Sequence, residues 1–270
     1  MTRRLVVGVL TVLAVGTLIP FLLVLVNAVK SPRSYDTSGP LGLPDALYLK
    51  GIVDFWLRVD FGEKLVNSTV IAGAVAVLAV LVAIVTSYAL GIGRVKGRTW
   101  IVAVFLLANL LPQDALVYPL YFLAKEADLY DTKLAVIIIF TAIQSAFGVY
   151  LLTSVLSTFP REIIEAARID GANRWQVLWR VVVPLSWPTL SVLLVFFFIW
   201  TWNEFFIPMI MLVSNDNQTV PVALGVLQGQ RLMDATAQSA SALLGIIPAV
   251  VFFLIFQRTL TRGIAVGAVK

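Results

Sequence analysis

The chain contains no cysteine and no histidine. Without cysteine there is neither a disulfide nor a thiolate ligand, and the redox compartment leaves no mark on the sequence. Without histidine, Ser-His and Cys-His nucleophilic sites, the HExxH metal site and imidazole ligation are excluded. An intramembrane protease of serine-histidine or zinc type is thereby set aside. Charge is scarce too, with Asp, Glu, Lys and Arg making up 13% of the 270 residues. What replaces them is hydrocarbon: 60% of residues are hydrophobic and the mean hydropathy is +0.94. Soluble domains sit at about 45–50% apolar, so most of this surface faces something other than water.

Apolar runs of about 20 residues cross a bilayer as helices. Six such runs are expected, at about 5–28, 65–92, 99–123, 134–156, 190–213 and 235–256, forming a single all-α polytopic domain over 1–270. A cleaved signal peptide has an apolar core of only about 7–15 residues. The first run is therefore expected to be retained, with Gly16 and Pro20 as bends, although Val26-Asn27-Ala28 has the form of a cleavage site. Between the first two runs, Lys30 to Lys64 reads as polar, and its second half suits a short surface helix. Ser214 to Asp234 reads as a polar loop, and Gln257 to Lys270 as a basic tail.

Six spans put both termini on one side. That side carries twelve of the twenty Lys and Arg residues and three acids, and the other carries eight and ten. The positive-inside rule then makes both termini and the 160–188 loop cytoplasmic. The net charge of +5 is read as orientation charge, which leaves no role for nucleic acid.

Gly91, Gly93 and Gly97 followed by Arg98-Thr99 echo a phosphate loop. The echo lacks the Gly-Lys-Ser/Thr ending and follows no strand, so it offers no anion cradle. No cofactor is expected in this chain.

Two acids, Asp114 and Glu204, fall inside predicted spans. Each costs about 2.5–3.5 kcal/mol at the bilayer centre on insertion scales, so such groups face a cavity or a partner. Asp114 ends the stretch Asn109-Leu-Leu-Pro112-Gln113-Asp114, where Pro112 is positioned to break the helix. On the fifth run Trp200, Asn203, Glu204 and Ile207 share one helical face. A ring beside amide and carboxylate groups suits a sugar, with C–H faces to stack and hydroxyls to hydrogen-bond. The candidate pathway residues are thus Asn109, Gln113, Asp114, Gln144, Trp200, Asn203 and Glu204; the other reading is polar glue between helices.

The most charged interruption is the stretch Pro160–Pro188. Pro160 suits a helix start, Glu162 and Glu165 its first turns, and Gly171 a left-handed end. A second amphipathic segment follows, which Pro184 and Pro188 are expected to stop before the fifth span. By physics alone, two helices lying on lipid headgroups fit as well as a docking lever.

Glu165-Ala166-Ala167, Gly171 and then Val181-Val182-Val183-Pro184 resemble the EAA loop of bacterial ABC importer permeases. Val stands where that pattern has Ile and Leu. Asn67-Ser68, Ile169-Asp170-Gly171-Ala172, Trp202-Asn203-Glu204-Phe205 and Gly267-Ala268-Val269-Lys270 extend the likeness over the whole chain, to the MalG-like permeases of carbohydrate importers with their MetI-like fold.

The resemblance implies a coupling helix at about Arg161 to Ile169, with Glu162, Glu165, Ala166, Ala167, Asp170 and Gly171 contacting an ATPase subunit. It implies a homologous permease partner, two ATPase subunits holding ATP and Mg, and an extracytoplasmic solute-binding protein. It further implies a sugar substrate and a bacterial cytoplasmic membrane. In such importers the loop before the last helix, here Ser214 to Asp234, reaches the binding protein, and the tail from Ile264 reaches the ATPase dimer. Another solute such as glycerol-3-phosphate is the alternative, and a membrane enzyme or a channel fits less well.

Overall fold

A helix pairs every main-chain N–H and C=O internally, which is what a chain this apolar requires in lipid. The computed structural model describes the backbone of residues 2–93, 95–230 and 235–268, and side chains of 4–93, 95–226 and 235–257. Arg94 of the Gly91–Thr99 stretch, Arg231 to Asp234 of the expected polar loop, and Val269 and Lys270 of the tail lie outside the described residues. Among the described residues all regular structure is helical. Five long apolar helices and one bent pair supply the spans.

The contacts divide the chain into two units, Met1–Leu65 with Val220–Phe252 and Val66–Thr219 with Phe253–Lys270. The first holds α1 (Thr2–Ala28), α2 (Pro32–Ser38), α3 (Lys50–Arg58) and α12 (Val220–Gln230). Helix α1 runs unbroken through Pro20 and exposes apolar side chains along its length. At its end Lys30 is 1% exposed, with Nζ donating to the Gly39 carbonyl at 2.7 Å. Phe55, Val59, Phe61, Val220, Ala223 and Leu244 form this unit's buried cluster. The expected polar loop at 214–234 is therefore corrected: its Val-Pro-Val-Ala-Leu run folds as α12 and buries Val220 and Ala223.

The second unit is built on α4 (Phe61–Gly91), α5 (Arg98–Leu110), α6 (Val117–Glu126), α7 (Lys133–Ser157) and α10 (Val183–Asn203). Lipid tails are as apolar as leucine, so membrane helices associate through close packing of small residues. Ala72, Ala76, Ala79 and Ala83 fall on one buried face of α4. Gly148 of α7 sits so close that a Cβ there would lie 2.7 Å from the Ala83 Cβ and 3.2 Å from the Phe197 ring of α10. Ser87 Oγ of α4 donates to the Val149 carbonyl of α7 at 3.1 Å.

Three expected spans need correction. The third is two helices meeting at 93°, α5 and the pair formed by the turn Gln113–Leu116 with α6. Leu111 and Pro112 are extended there, because Pro112 lacks an N–H and restricts Leu111. The fifth starts earlier than expected: α9 (Arg174–Val177) runs through a π-turn, Leu178–Val182, into α10 as one rod to Asn203. Pro184 does not stop it, since the widened turn, with the Val183 N–H bonded to the Leu178 carbonyl, takes up the missing donor and the ring. The last, α13 (Ala235–Ala268), continues as helix through most of the expected tail.

A polar knot ties the turn before α7 to the segment that follows α11 (Phe206–Met211). Asp131, at φ 59°, accepts N–H bonds from Val213 at 2.9 Å and Ser214 at 3.0 Å, and the Ser214 hydroxyl. Its carbonyl accepts from Asn217 at 2.6 Å. Asn67 Nδ2, near the start of α4, donates to the carbonyls of Asp216 and Gln218 at 2.8 and 3.0 Å. Desolvation pushes the Asp131 carboxyl upward; the hydrogen bonds from Ser214, Asn217 and Val213 outweigh it and hold the group below its ordinary value.

Gly148→Val should force α7 away from α4 and α10 and destabilise the fold by about 1–3 kcal/mol, as overpacking does; a lowered melting temperature of detergent-solubilised protein measures it, and an unchanged one refutes the close packing. The depressed Asp131 carboxyl contributes stability above its unfolded value of about 3.9 and loses it as pH falls through the folded value. Proteolysis at 213–218 should therefore accelerate in acid, whereas Asp131→Asn should be labile already at neutral pH and insensitive to acid.

Candidate functional site

Two regions carry the polar chemistry of the second unit. The first is α8 (Arg161–Ile169), opened by Pro160. Ile164 is buried in one cluster with Leu90 of α4 and Leu156 of α7, and Ala167, Ala172 and Phe159 pack against that cluster. The helix ends as its glycine suggests: Gly171 has φ 82°, its N–H reaches the Arg168 carbonyl, and the Ala172 N–H reaches that of Ala167 at 3.0 Å. This is a Schellman stop, which a residue with a Cβ enters only under strain. Asn173 and Gln176 then form a reciprocal capping box that starts α9. Asn-x-x-Gln was a readable signal for that start, and sequence reasoning passed it over.

One row of α8, comprising Arg161, Ile164, Glu165 and Arg168, lines an open cavity beneath the ends of α4 and α7. The other side exposes Glu162, Ile163, Ala166, Ile169 and Asp170. Ile169 is 86% exposed. Of the expected coupling residues, Glu162, Ala166, Asp170 and Gly171 are exposed there, Ala167 leans on the core, and Glu165 turns to the cavity.

The second region gathers at two helix breaks. Asp114 lies in the short turn after the Leu111–Pro112 break. Glu204 is not inside a helix as expected: α10 ends at Asn203, and Glu204 has an extended ψ of 130° before α11 begins. The two carboxylates are within electrostatic reach of each other. Irregular backbone at membrane depth is tolerated only against protein or water, and its freed N–H and C=O groups are available to a ligand.

Because the helix stops at Asn203, the expected common face of four residues dissolves. Ile207 is buried in the cluster of α4, α6 and α7, whereas Trp200 and Asn203 remain exposed. Trp200 stands edge-on to Phe147 at 5.3 Å. Asn203 and Asn109 are exposed and each donates back to its own helix, to Ile199 and Phe105, at 2.7 Å. Gln113 is exposed beside Asp114. Gln144 stands apart: it is 4% exposed and donates to Thr201 at 2.8 Å, joining α7 to α10. Its amide serves the packing and meets no open surface of this chain.

Residues 9–266 match the family described as the inner membrane component of binding-protein-dependent transport systems. The inner membrane ABC transporter permease protein YcjP of Escherichia coli (strain K12) is 32% identical over 94% of this chain and 91% of its own length. The melibiose/raffinose/stachyose import permease MelC of Bacillus subtilis (strain 168) is 27% identical over 100% of this chain and 97% of its own. In fold the chain is similar to a bacterial ABC transporter involved in import of the acidic polysaccharide alginate, with a TM-score of 0.83 over 94% of this chain and 95% of that one. At 20% identity that likeness carries the fold alone. A multi-pass helical chain with a Gly171-stopped helix on its surface and acids at two helix breaks thus belongs to the binding-protein-dependent permease family, as an inner-membrane component of a transporter.

Proposed function

We propose that this chain is one permease subunit of an ATP-driven importer for a neutral oligosaccharide in a bacterial cytoplasmic membrane. Relatives named for melibiose, raffinose, stachyose and lactose import support the substrate class. The observation that carries the coupling role is α8, anchored by Ile164, stopped by the left-handed Gly171, and offering Ile163, Ile169 and Glu162 outward. A helix held at one face and free at the other transmits a push along the rod α9–α10, because the capping box joins it to that rod.

ATP and Mg belong to separate ATPase subunits, since the Gly91–Thr99 stretch lacks the Gly-Lys-Ser/Thr ending of a nucleotide-binding loop. A homologous permease covers the exposed side that carries Trp200 and Asn203, and closes the pathway with it. The basic balance of the loops supports a cytoplasmic side for both termini and α8. The segment 213–218, tied by Asp131 and Asn67, is then extracytoplasmic, where a stiff loop suits contact with a loaded binding protein.

Within the pathway, the carboxylates of Asp114 and Glu204 accept hydroxyl hydrogen bonds and repel anionic sugars. The Trp200 ring offers a stacking face. Glycerol-3-phosphate is disfavoured, because the two helix breaks present acids and amides to a solute and no cation among the described residues.

Gly171→Asp should leave the subunit inserted and assembled yet lower sugar uptake in vesicles at least about tenfold, or release ATP hydrolysis from transport; uptake at the wild-type rate removes the coupling role. Asn203→Ala with Glu204→Ala should lower uptake while the ATPase subunits still co-purify. Loss of co-purification would instead make these side chains packing elements.

A further inference from the structure

The cavity beneath α8 is not absorbed by the coupling role. It measures about 510 Å³, within the range of about 300–1,000 Å³ typical of small-ligand sites. Four arginines line it, Arg98, Arg161, Arg168 and Arg174, with one acid, Glu165. None of the four forms an ion pair with a carboxylate among the described residues. Arginines lining one open cavity without carboxylate partners suit an anion, since the planar fork of each matches a phosphate oxygen pair. The remaining wall includes Ser157 and the apolar or aromatic side chains of Tyr88, Ile92, Leu156 and Phe159.

The place of the cavity narrows the choice of anion. It lies where the spans α4 and α7 end and α5 begins, with residues from each in its wall. Exposed indoles stand one and two residues from its arginines, Trp175 beside Arg174 at 61% exposure and Trp100 after Arg98 at 80%. Tryptophan so placed at span ends marks the headgroup level of a bilayer. Basic pockets between helices at that level take anionic lipid headgroups.

We propose that this cavity binds the phosphodiester headgroup of an anionic phospholipid. The phosphate sits among Arg98, Arg168 and Arg174, and the apolar wall takes the glycerol end of the acyl chains. The opposite, outward face of α8 is left for a protein partner, so headgroup and partner occupy different sides of one helix. The proposal rests on the chain crossing a bilayer and is independent of which sugar is carried.

The assembled transporter in phosphatidylcholine nanodiscs doped with phosphatidylglycerol provides the test. Each lipid in turn carries a photo-cross-linker next to its glycerol. Phosphatidylglycerol should label peptides spanning 95–100 or 161–175 about tenfold more than phosphatidylcholine does, and Arg168→Gln with Arg174→Gln should remove that excess. Equal labelling by the two lipids overturns the proposal, as does an excess that survives the double variant. Labelling abolished by millimolar inorganic phosphate would make free phosphate the ligand and overturn the lipid assignment, whereas unchanged labelling supports it. Labelling that appears only after the ATPase subunits are stripped would give the cavity to an acidic protein segment and also overturn it. If the double variant fails to assemble, the comparison of the two lipid probes on the wild-type complex still decides.

Discussion

In a bilayer, a main-chain N–H or C=O without a partner costs several kcal/mol, and this constraint governs where the chain is allowed to stop being helical. The interruptions fall at Leu111–Pro112, which this chain leaves exposed, and at Glu204–Phe205, each at or within two residues of a carboxylate. A third irregularity, the π-turn Leu178–Val182, keeps its hydrogen bonds by shifting to a longer register, and so carries a proline without a break. The places where the helical rule is relaxed are therefore the places where chemistry is found.

Close packing supplies the rigidity that makes such breaks tolerable. The alanine face of α4 and Gly148 of α7 bring backbones together, and Phe197 of α10 fills the space that a side chain at 148 would take. Dispersion between closely fitted surfaces acts where water offers no hydrophobic drive between helices. Ile164 joins α8 to the same cluster, so a surface helix is fastened to the membrane core through one buried side chain. Polar groups then serve as fixed pins: Gln144 to Thr201 within the core, and Asp131 and Asn67 in the loop after α11.

Much of this was legible beforehand, for identifiable reasons. Long apolar runs announce spans because their length matches the hydrocarbon thickness, and α8 spans Arg161–Ile169 as its proline, acids and glycine imply. Gly171 was readable because few other residues tolerate its φ. Glu204 was misplaced because periodicity continues past Asn203 in the sequence while the backbone turns extended there. Pro184 was misread because proline rules assume an α-register that the π-turn abandons. Asp131 was overlooked because an aspartate in a loop carries no local sign of the distant Val213, Ser214 and Asn217 it will hold.

Residue order alone sets the class of the molecule: a helical membrane chain without histidine or cysteine chemistry, with a charged helix–glycine–helix interruption and acids within apolar runs. These follow from composition, run length and backbone permissions, which are properties of residues and their near neighbours. Packing in three dimensions turns Glu165 and the arginines of α8 to a cavity and Ile169 outward, seals Gln144 between α7 and α10, and brings Asp114 and Glu204 within electrostatic reach across ninety residues of chain. Those outcomes depend on which helices approach closely enough to bury one face and expose the other, and no local pattern carries that information.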